Sequence, residues 1–179
     1  MGPLTAEIMR KALRRLDEVV PHPFTLIVGG GGAMILAHGF PLGTTDIDAV
    51  PQGMELPVLD LLVKQIADEQ NLPKDWLNPY FSTYSYTLPS DYGSRLIEIF
   101  SGVKLKALAL GKNEMLIMKC FAHRQKDVGH AKMLIRDGAD INAVEAHLEE
   151  LLRKKIPNAQ AAIDFLQDVQ EQCERGAAP

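Results

Sequence analysis

Apolar positions recur at helical spacing from the start of the chain. Ile8, Met9, Leu13, Leu16, Val19 and Val20 form one stripe across residues 5–20, with Thr5 placed to cap the helix they predict. Pro21 and Pro23 end it, because proline cannot continue a helix. The period then shortens. Phe24 to Val28, FTLIV, is an unbroken apolar run rich in β-branched residues, the pattern of a buried strand. AMILAHGF predicts a short helix near 32–38, closed by Gly39. TTDIDAV alternates strictly and predicts a second strand near 45–50, a neighbour of the first in one mixed sheet. Leu56 to Glu69 is again densely helical. An aromatic, proline-punctuated stretch follows, with a strand expected through Tyr80–Thr87, and then RLIEIF and VKLKALAL supply further strand-forming segments. From Gly111 onward the pattern is helical: a helix capped by Asn113 carries Leu116, Ile117, Cys120 and Phe121, and others follow near 128–137, 142–155 and 159–173.

This order predicts an α/β (α+β) fold. A small mixed sheet flanked by helices occupies residues 1–110, and a helical C-terminal subdomain, 111–179, packs on it as one compact unit. With 46% hydrophobic and 23% charged residues the chain has the composition of a folded globular protein rather than a disordered one. No apolar run approaches the ~20 residues of a membrane span, and charges interrupt the N-terminal stretch where a signal peptide would need an apolar stretch. Cys120 and Cys173 lie far apart, each in a helical pattern, which argues against a disulfide framework or a zinc site and for a reducing cytoplasm. The net charge of −4 excludes a generally nucleic-acid-binding surface. Locally, Lys104, Lys106, Lys112, Lys119, Arg124, Lys126, Lys132 and Arg136 outnumber Glu114 and Asp127, giving either solvated helix faces or a cationic wall for a polyanion.

The chemistry concentrates in LIVGGGGAMILAHGFPLGTTDIDAVP, Leu26 to Pro51. A strand that runs through glycines into a helix lets backbone N–H groups meet an anion where no side chain intrudes. Two common versions are absent. A Walker A loop would end in Gly-Lys-Ser/Thr, whereas Ala33-Met34-Ile35 follow here, and the third glycine of a dinucleotide fingerprint would fall on Met34. Asp46 and Asp48 change the picture. Asp-x-Asp on a strand projects two carboxylates from one face, about 7 Å apart at the Cα atoms. Like charges this close are unfavourable unless a cation sits between them. Hard oxygen ligands, few in number and with room for phosphate oxygens, suit Mg2+ or Mn2+. A glycine loop for a triphosphate beside such a pair points to phosphoryl or nucleotidyl transfer.

GGAMILAHGFPLGTTDID resembles the signature of the DNA polymerase β-type nucleotidyltransferase superfamily, Gly-Gly or Gly-Ser at a helix start followed by Asp-x-Asp on the next strand. Within that superfamily it is similar to the small bacterial nucleotidyltransferases related to AbiEii-type toxins, and MKCFAHRQKDVGHAKML resembles their helical motif. The resemblance implies a nucleotidyltransferase-like fold that moves NMP from an NTP substrate to an acceptor hydroxyl, on RNA such as a tRNA end or on protein. It also implies a toxin with an antitoxin partner. Carried over, Asp46 and Asp48 match the metal-binding carboxylates, Gly31, Gly32 and Thr44 the nucleotide-binding loop, Lys119 a lysine near the phosphates, and Asp127 an acidic residue of the helical motif. The chain departs from the pattern at Leu42, where many relatives are basic, at Gly32, which is not Ser or Thr, and at His130, where a second aspartate is common. The superfamily's third carboxylate is not evident; Glu98 and Asp75 are the candidates. These departures keep open a catalytically degenerate protein of the same fold that binds nucleotide or a partner. Trp76, Tyr80, Tyr84, Tyr86 and Tyr92 are candidates for stacking a base or for packing the core.

Overall fold

The computed structural model of the chain describes residues 2–79 and 85–175. The chain divides into two compact units, Met1–Thr83 with Arg95–Leu110, and Tyr84–Ser94 with Gly111–Pro179. Residues 85–94 cluster with the second unit.

The first unit contains α1 (Ala6–Val19), β1 (Phe24–Val28), α2 (Gly30–Leu36), β2 (Ile47–Gln52), α3 (Leu56–Gln70), β3 (Leu77–Asn78), β4 (Ile97–Ser101) and β5 (Leu105–Ala109). The strands form one mixed sheet in the order β3-β2-β1-β5-β4. β1 is antiparallel to β2 and parallel to β5; β2 is parallel to β3, and β4 antiparallel to β5. This is a nucleotidyltransferase-like mixed α/β architecture.

The hydrophobic pattern explains the layers. Thr5 caps α1, its hydroxyl accepting from the Ile8 amide at 3.3 Å, and the helix buries Met9, Ala12, Leu13 and Leu16. Each such leucine or methionine contributes roughly 1.5–3 kcal/mol by leaving water. One sheet face, with Leu26, Val28, Ile47, Ala49, Leu105, Ala107 and Ala109, is fully buried. On the other face Ile27 is buried, but Thr25, Lys106, Asp48, Val50 and Glu98 are half-buried or exposed, so Asp48 stands on the wetter face. Trp76 belongs to the core. Its ring is fully buried, with the indole N–H donating to Val63 O at 3.0 Å.

The second unit holds α4 (Lys112–Ala122), α5 (Gln125–Arg136), α6 (Ile141–Arg153) and α7 (Ala159–Arg175). Of the strand expected through Tyr80–Thr87, residues 80–84 lie outside the described residues, and Ser85–Thr87 is a 3-10 turn. The His147 ring holds that turn, its Nε2 lying 2.8 Å from the Thr87 carbonyl. Asn113 does not cap α4. Gly111 does, and Asn113 Oδ1 accepts from the Asp140 amide at 2.8 Å, tying α4 to the cap of α6. Cys120 and Cys173 are both free, and burial pushes the Cys120 thiol up to about 12. No helix among the described residues is long and apolar enough to cross a membrane.

Candidate active site

Because β1 and β2 are antiparallel neighbours, the end of one lies beside the start of the other. Val28 pairs with Ala49, and the Gly29 amide donates to Asp48 O at 2.9 Å. The glycine loop and the aspartates, separate in sequence, thus meet at one end of the sheet. Asp48 lies inside β2, while Asp46 sits in a bend immediately before Ile47, the first residue of the strand. Both are half-buried.

The glycines are explained by what they touch. Gly30 has a φ of +57°, in the left-handed region, and a Cβ there would overlap Asp48 Oδ2 and stand 2.9 Å from its Cγ. A side chain on Gly31 would stand 2.8 Å from Thr44 Oγ1. A Cβ on Gly32 would lie 3.2 Å from Ile47 Cγ2, and that glycine is buried. Gly30 and Gly31 are therefore bare where Asp48 and Thr44 close against the loop, and Gly32 is bare for packing. The sequence singled out Gly31 and Gly32; Gly30 is the glycine against the carboxylate.

Thr44 links the two halves. Its hydroxyl donates to Asp46 O at 3.1 Å and lies 3.5 Å from Asp46 Oδ1. Its carbonyl accepts from the Leu4 amide at 2.7 Å, so the segment before α1 holds the loop that carries Asp46. On the other side, β3 brings Asn78 level with Asp48, and the Asn78 amide donates to Asp48 Oδ1 at 3.2 Å. Sequence reading missed Asn78. A two-residue strand has no periodicity, and its pairing with β2 is a long-range event.

Glu98 is on β4, three strands from β2, or about 14 Å at the usual strand spacing. Its carboxylate faces Lys106 Nζ at 3.2 Å, so the structure does not bring it to the aspartate pair. Asp75 lies in the exposed turn before β3. Among the described residues no three His, Cys, Asp or Glu side chains gather as a metal cluster. What does gather is two carboxylates, a hydroxyl and an amide, all oxygen-bearing, beside a loop without side chains. That donor set fits a hard divalent cation that takes its remaining ligands from water and phosphate.

In the second unit, Lys119 and Asp127 form a buried ion pair at 3.0 Å, their side chains 7% and 0% exposed. Asp127 is in the first turn of α5, where Arg124 Nε also donates to it at 2.7 Å. Burial would raise its pKa, but the Arg124 and Lys119 contacts outweigh this and hold it below the usual carboxylate range. His130 Nδ1 is 3.9 Å from Asp127 Oδ1 and has no hydrogen-bond partner among the described residues. Burial pushes its pKa down, and the Lys119 charge acts in the same direction. Several basic residues of 104–136 have partners of their own within their unit. Lys104 bonds Val20 O, Lys106 pairs with Glu98, Lys112 with Asp137, and Lys119 and Arg124 share Asp127. Tyr86 is exposed and Tyr92 half-buried, while Tyr80 and Tyr84 lie outside the described residues.

A family described as "Nucleotidyltransferase of unknown function (DUF6036)" matches residues 7–175. The chain belongs to this nucleotidyltransferase family. The match covers both units, from the second residue of α1 to the last of α7. Comparison with curated proteins and with solved structures gives no match. The family description supports nucleotidyl transfer as the general activity.

Proposed function

We propose that this nucleotidyltransferase transfers NMP from an NTP to an acceptor hydroxyl at the site formed by Gly30, Gly31, Thr44, Asp46 and Asp48. In that reaction the acceptor oxygen bonds to the α-phosphorus, the bond from that phosphorus to the bridging oxygen breaks, and pyrophosphate leaves. The acceptor proton passes to solvent or to a base. The observation that carries the reading is the Asp48 carboxylate set against the bare Gly30 at the end of β1. Mg2+ or Mn2+, when held by Asp46 and Asp48, would neutralise phosphate charge and orient the triphosphate. Thr44 fixes the Asp46 backbone, and Asn78 orients Asp48.

Lys119 enters this reading with Asp127, Arg124 and the helical motif, its ammonium engaged by Asp127. An ammonium has three N–H donors, so the bond to Asp127 does not by itself preclude a phosphate contact. Similarity to AbiEii-type toxins supports an RNA acceptor such as a tRNA end, and a protein hydroxyl is the other class. A toxin role, with an antitoxin partner, rests on that similarity alone. The second reading is a degenerate nucleotide binder, favoured by one observation: no third acidic side chain joins Asp46 and Asp48 among the described residues.

The test is incubation with each α-labelled NTP and Mg2+, against total RNA and against the protein itself. Transfer of label from one nucleotide to one acceptor is expected. Nucleotide binding without labelling of any acceptor establishes the degenerate reading instead.

A further inference from the structure

We propose that Asn78 fixes the site at two negative charges, so that the divalent cation enters with the nucleoside triphosphate rather than as a resident ion. The inference rests on the assignment of Asp46 and Asp48 as the metal carboxylates.

Two strands flank β2, and each contributes one residue beside Asp48. On the β1 side it is Gly29, which donates its amide to Asp48 O and has no side chain. On the β3 side it is Asn78. In parallel pairing, residues in register present their side chains to the same face of the sheet. Asn78 thus occupies the strand position from which a third carboxylate would reach the cation, and it is neutral.

Its placement is built in. Trp76 is fully buried, its indole bonded to Val63 O, and its carbonyl accepts from the Ile47 amide at 2.7 Å. Leu77 is also buried and pairs with Ile47. These anchors leave the next residue level with Asp48. An ionised carboxylate only accepts hydrogen bonds, so Asn78 presents its nitrogen to Asp48 Oδ1, as the 3.2 Å contact has it. The amide therefore orients Asp48 without adding charge.

Two carboxylates neutralise a divalent cation but leave most of its coordination to water. Mg2+ held by one or two carboxylates characteristically completes its shell with substrate phosphates. The triphosphate brings both the missing oxygens and the missing negative charge. A carboxylate at position 78 would supply that charge from the protein, and the ion would then bind before any nucleotide.

The experiment is a calorimetric titration of the full chain with Mn2+ alone and with Mn2+ complexed to each NTP, on wild type, Asn78→Asp, Asn78→Ala and Asp46→Asn/Asn78→Asp. The wild type should take up the nucleotide complex at least about tenfold more tightly than Mn2+ alone. Asn78→Asp should bind Mn2+ alone at least about tenfold more tightly than wild type, through the added charge. Asp46→Asn/Asn78→Asp, back at two carboxylates, should lose the gain of Asn78→Asp and bind Mn2+ alone at least about tenfold more weakly than that single variant, while Asn78→Ala, which adds no charge, should show no such gain over wild type. A residue that merely pins β3 would not make affinity follow the carboxylate count. Should Asn78→Asp be unstable without metal, its melting temperature should rise with Mn2+ alone while that of wild type stays put. The proposal is overturned if wild type binds Mn2+ alone as tightly as the complex, or if Asn78→Asp gains neither affinity nor thermal stabilisation. If wild type takes up neither Mn2+ nor any complex, the metal assignment of Asp46 and Asp48 fails as well.

Discussion

Gly30→Ala probes the contact on which the site is built. Gly30 sits at a φ of +57°, and a left-handed conformation disfavours an L-residue by roughly 1–2 kcal/mol. The new methyl would also overlap Asp48 Oδ2 and stand 2.9 Å from Cγ and 3.0 Å from Cβ of that residue, all inside van der Waals contact. Relieving such overpacking commonly costs about 1–3 kcal/mol. The substitution should therefore destabilise the protein by about 2–5 kcal/mol. The two contributions separate in a double-mutant cycle. In an Asp48→Ala background Oδ2 and Cγ are gone, the close approach to Cβ remains, and the cost of Gly30→Ala should fall by about 1–3 kcal/mol, a coupling free energy. Urea unfolding of the four proteins, read by circular dichroism, measures it. Equal costs in the two backgrounds, within about 0.5 kcal/mol, would show that Asp48 does not close against the loop. The functional corollary is that Gly30→Ala, by displacing Asp48, should weaken Mg2+-dependent nucleotide binding even when the protein is folded.

Asp17 accepts backbone N–H groups from Val103, Lys104 and Leu105 at 3.0, 2.7 and 2.6 Å, clasping the β4–β5 turn to α1. Burial acts to raise its pKa, but the three amides prevail and lower it. Since the folded value is depressed, its stabilisation is full above the unfolded pKa near 4 and fades as pH falls through the folded value. Asp17→Ala should cost about 1–2 kcal/mol near neutrality, and melting curves should show that deficit shrinking below about pH 4; a deficit that persists unchanged in acid contradicts the assignment. In the helical unit, Asp127→Ala leaves Lys119 buried without its carboxylate and should cost about 3–5 kcal/mol. Lys119→Met/Asp127→Leu, which removes both charges, should be markedly milder in the same urea measurement. Equal losses would mean that the pair's mutual neutralisation is not what holds it there.

Much of the site was legible because local pattern and local chemistry coincide in it. FTLIV, a short apolar run rich in β-branched residues and preceded by Pro21 and Pro23, reads as a buried strand, and β1 is Phe24–Val28. The alternation of Asp46, Ile47 and Asp48 gave β2, with Ile47 buried beneath the sheet and Asp48 on the wetter face, although the strand begins one residue after Asp46. What sequence pattern does not encode is strand order. Glu98 reads as a lone carboxylate between isoleucines, and only the order β3-β2-β1-β5-β4 puts it at the opposite edge from β3. Asn78 was hidden for the converse reason, since two residues of β3 carry no period yet sit in register with Asp48. Lys119 reads as an available cation on its helix. That Asp127, eight residues on, turns back to bury it depends on how α4 and α5 pack.

The central claim is that Asp46 and Asp48 together hold the divalent cation of a nucleotidyltransferase, and it is tested most directly by titrating nucleotide into wild type and Asp46→Asn/Asp48→Asn calorimetrically, with and without Mg2+. The account predicts that Mg2+ strengthens nucleotide binding to the wild type but not to the variant. The variant should melt at the same temperature or higher, because two mutually repelling carboxylates have been neutralised. Mg2+-dependent affinity that survives unchanged in the variant would contradict it.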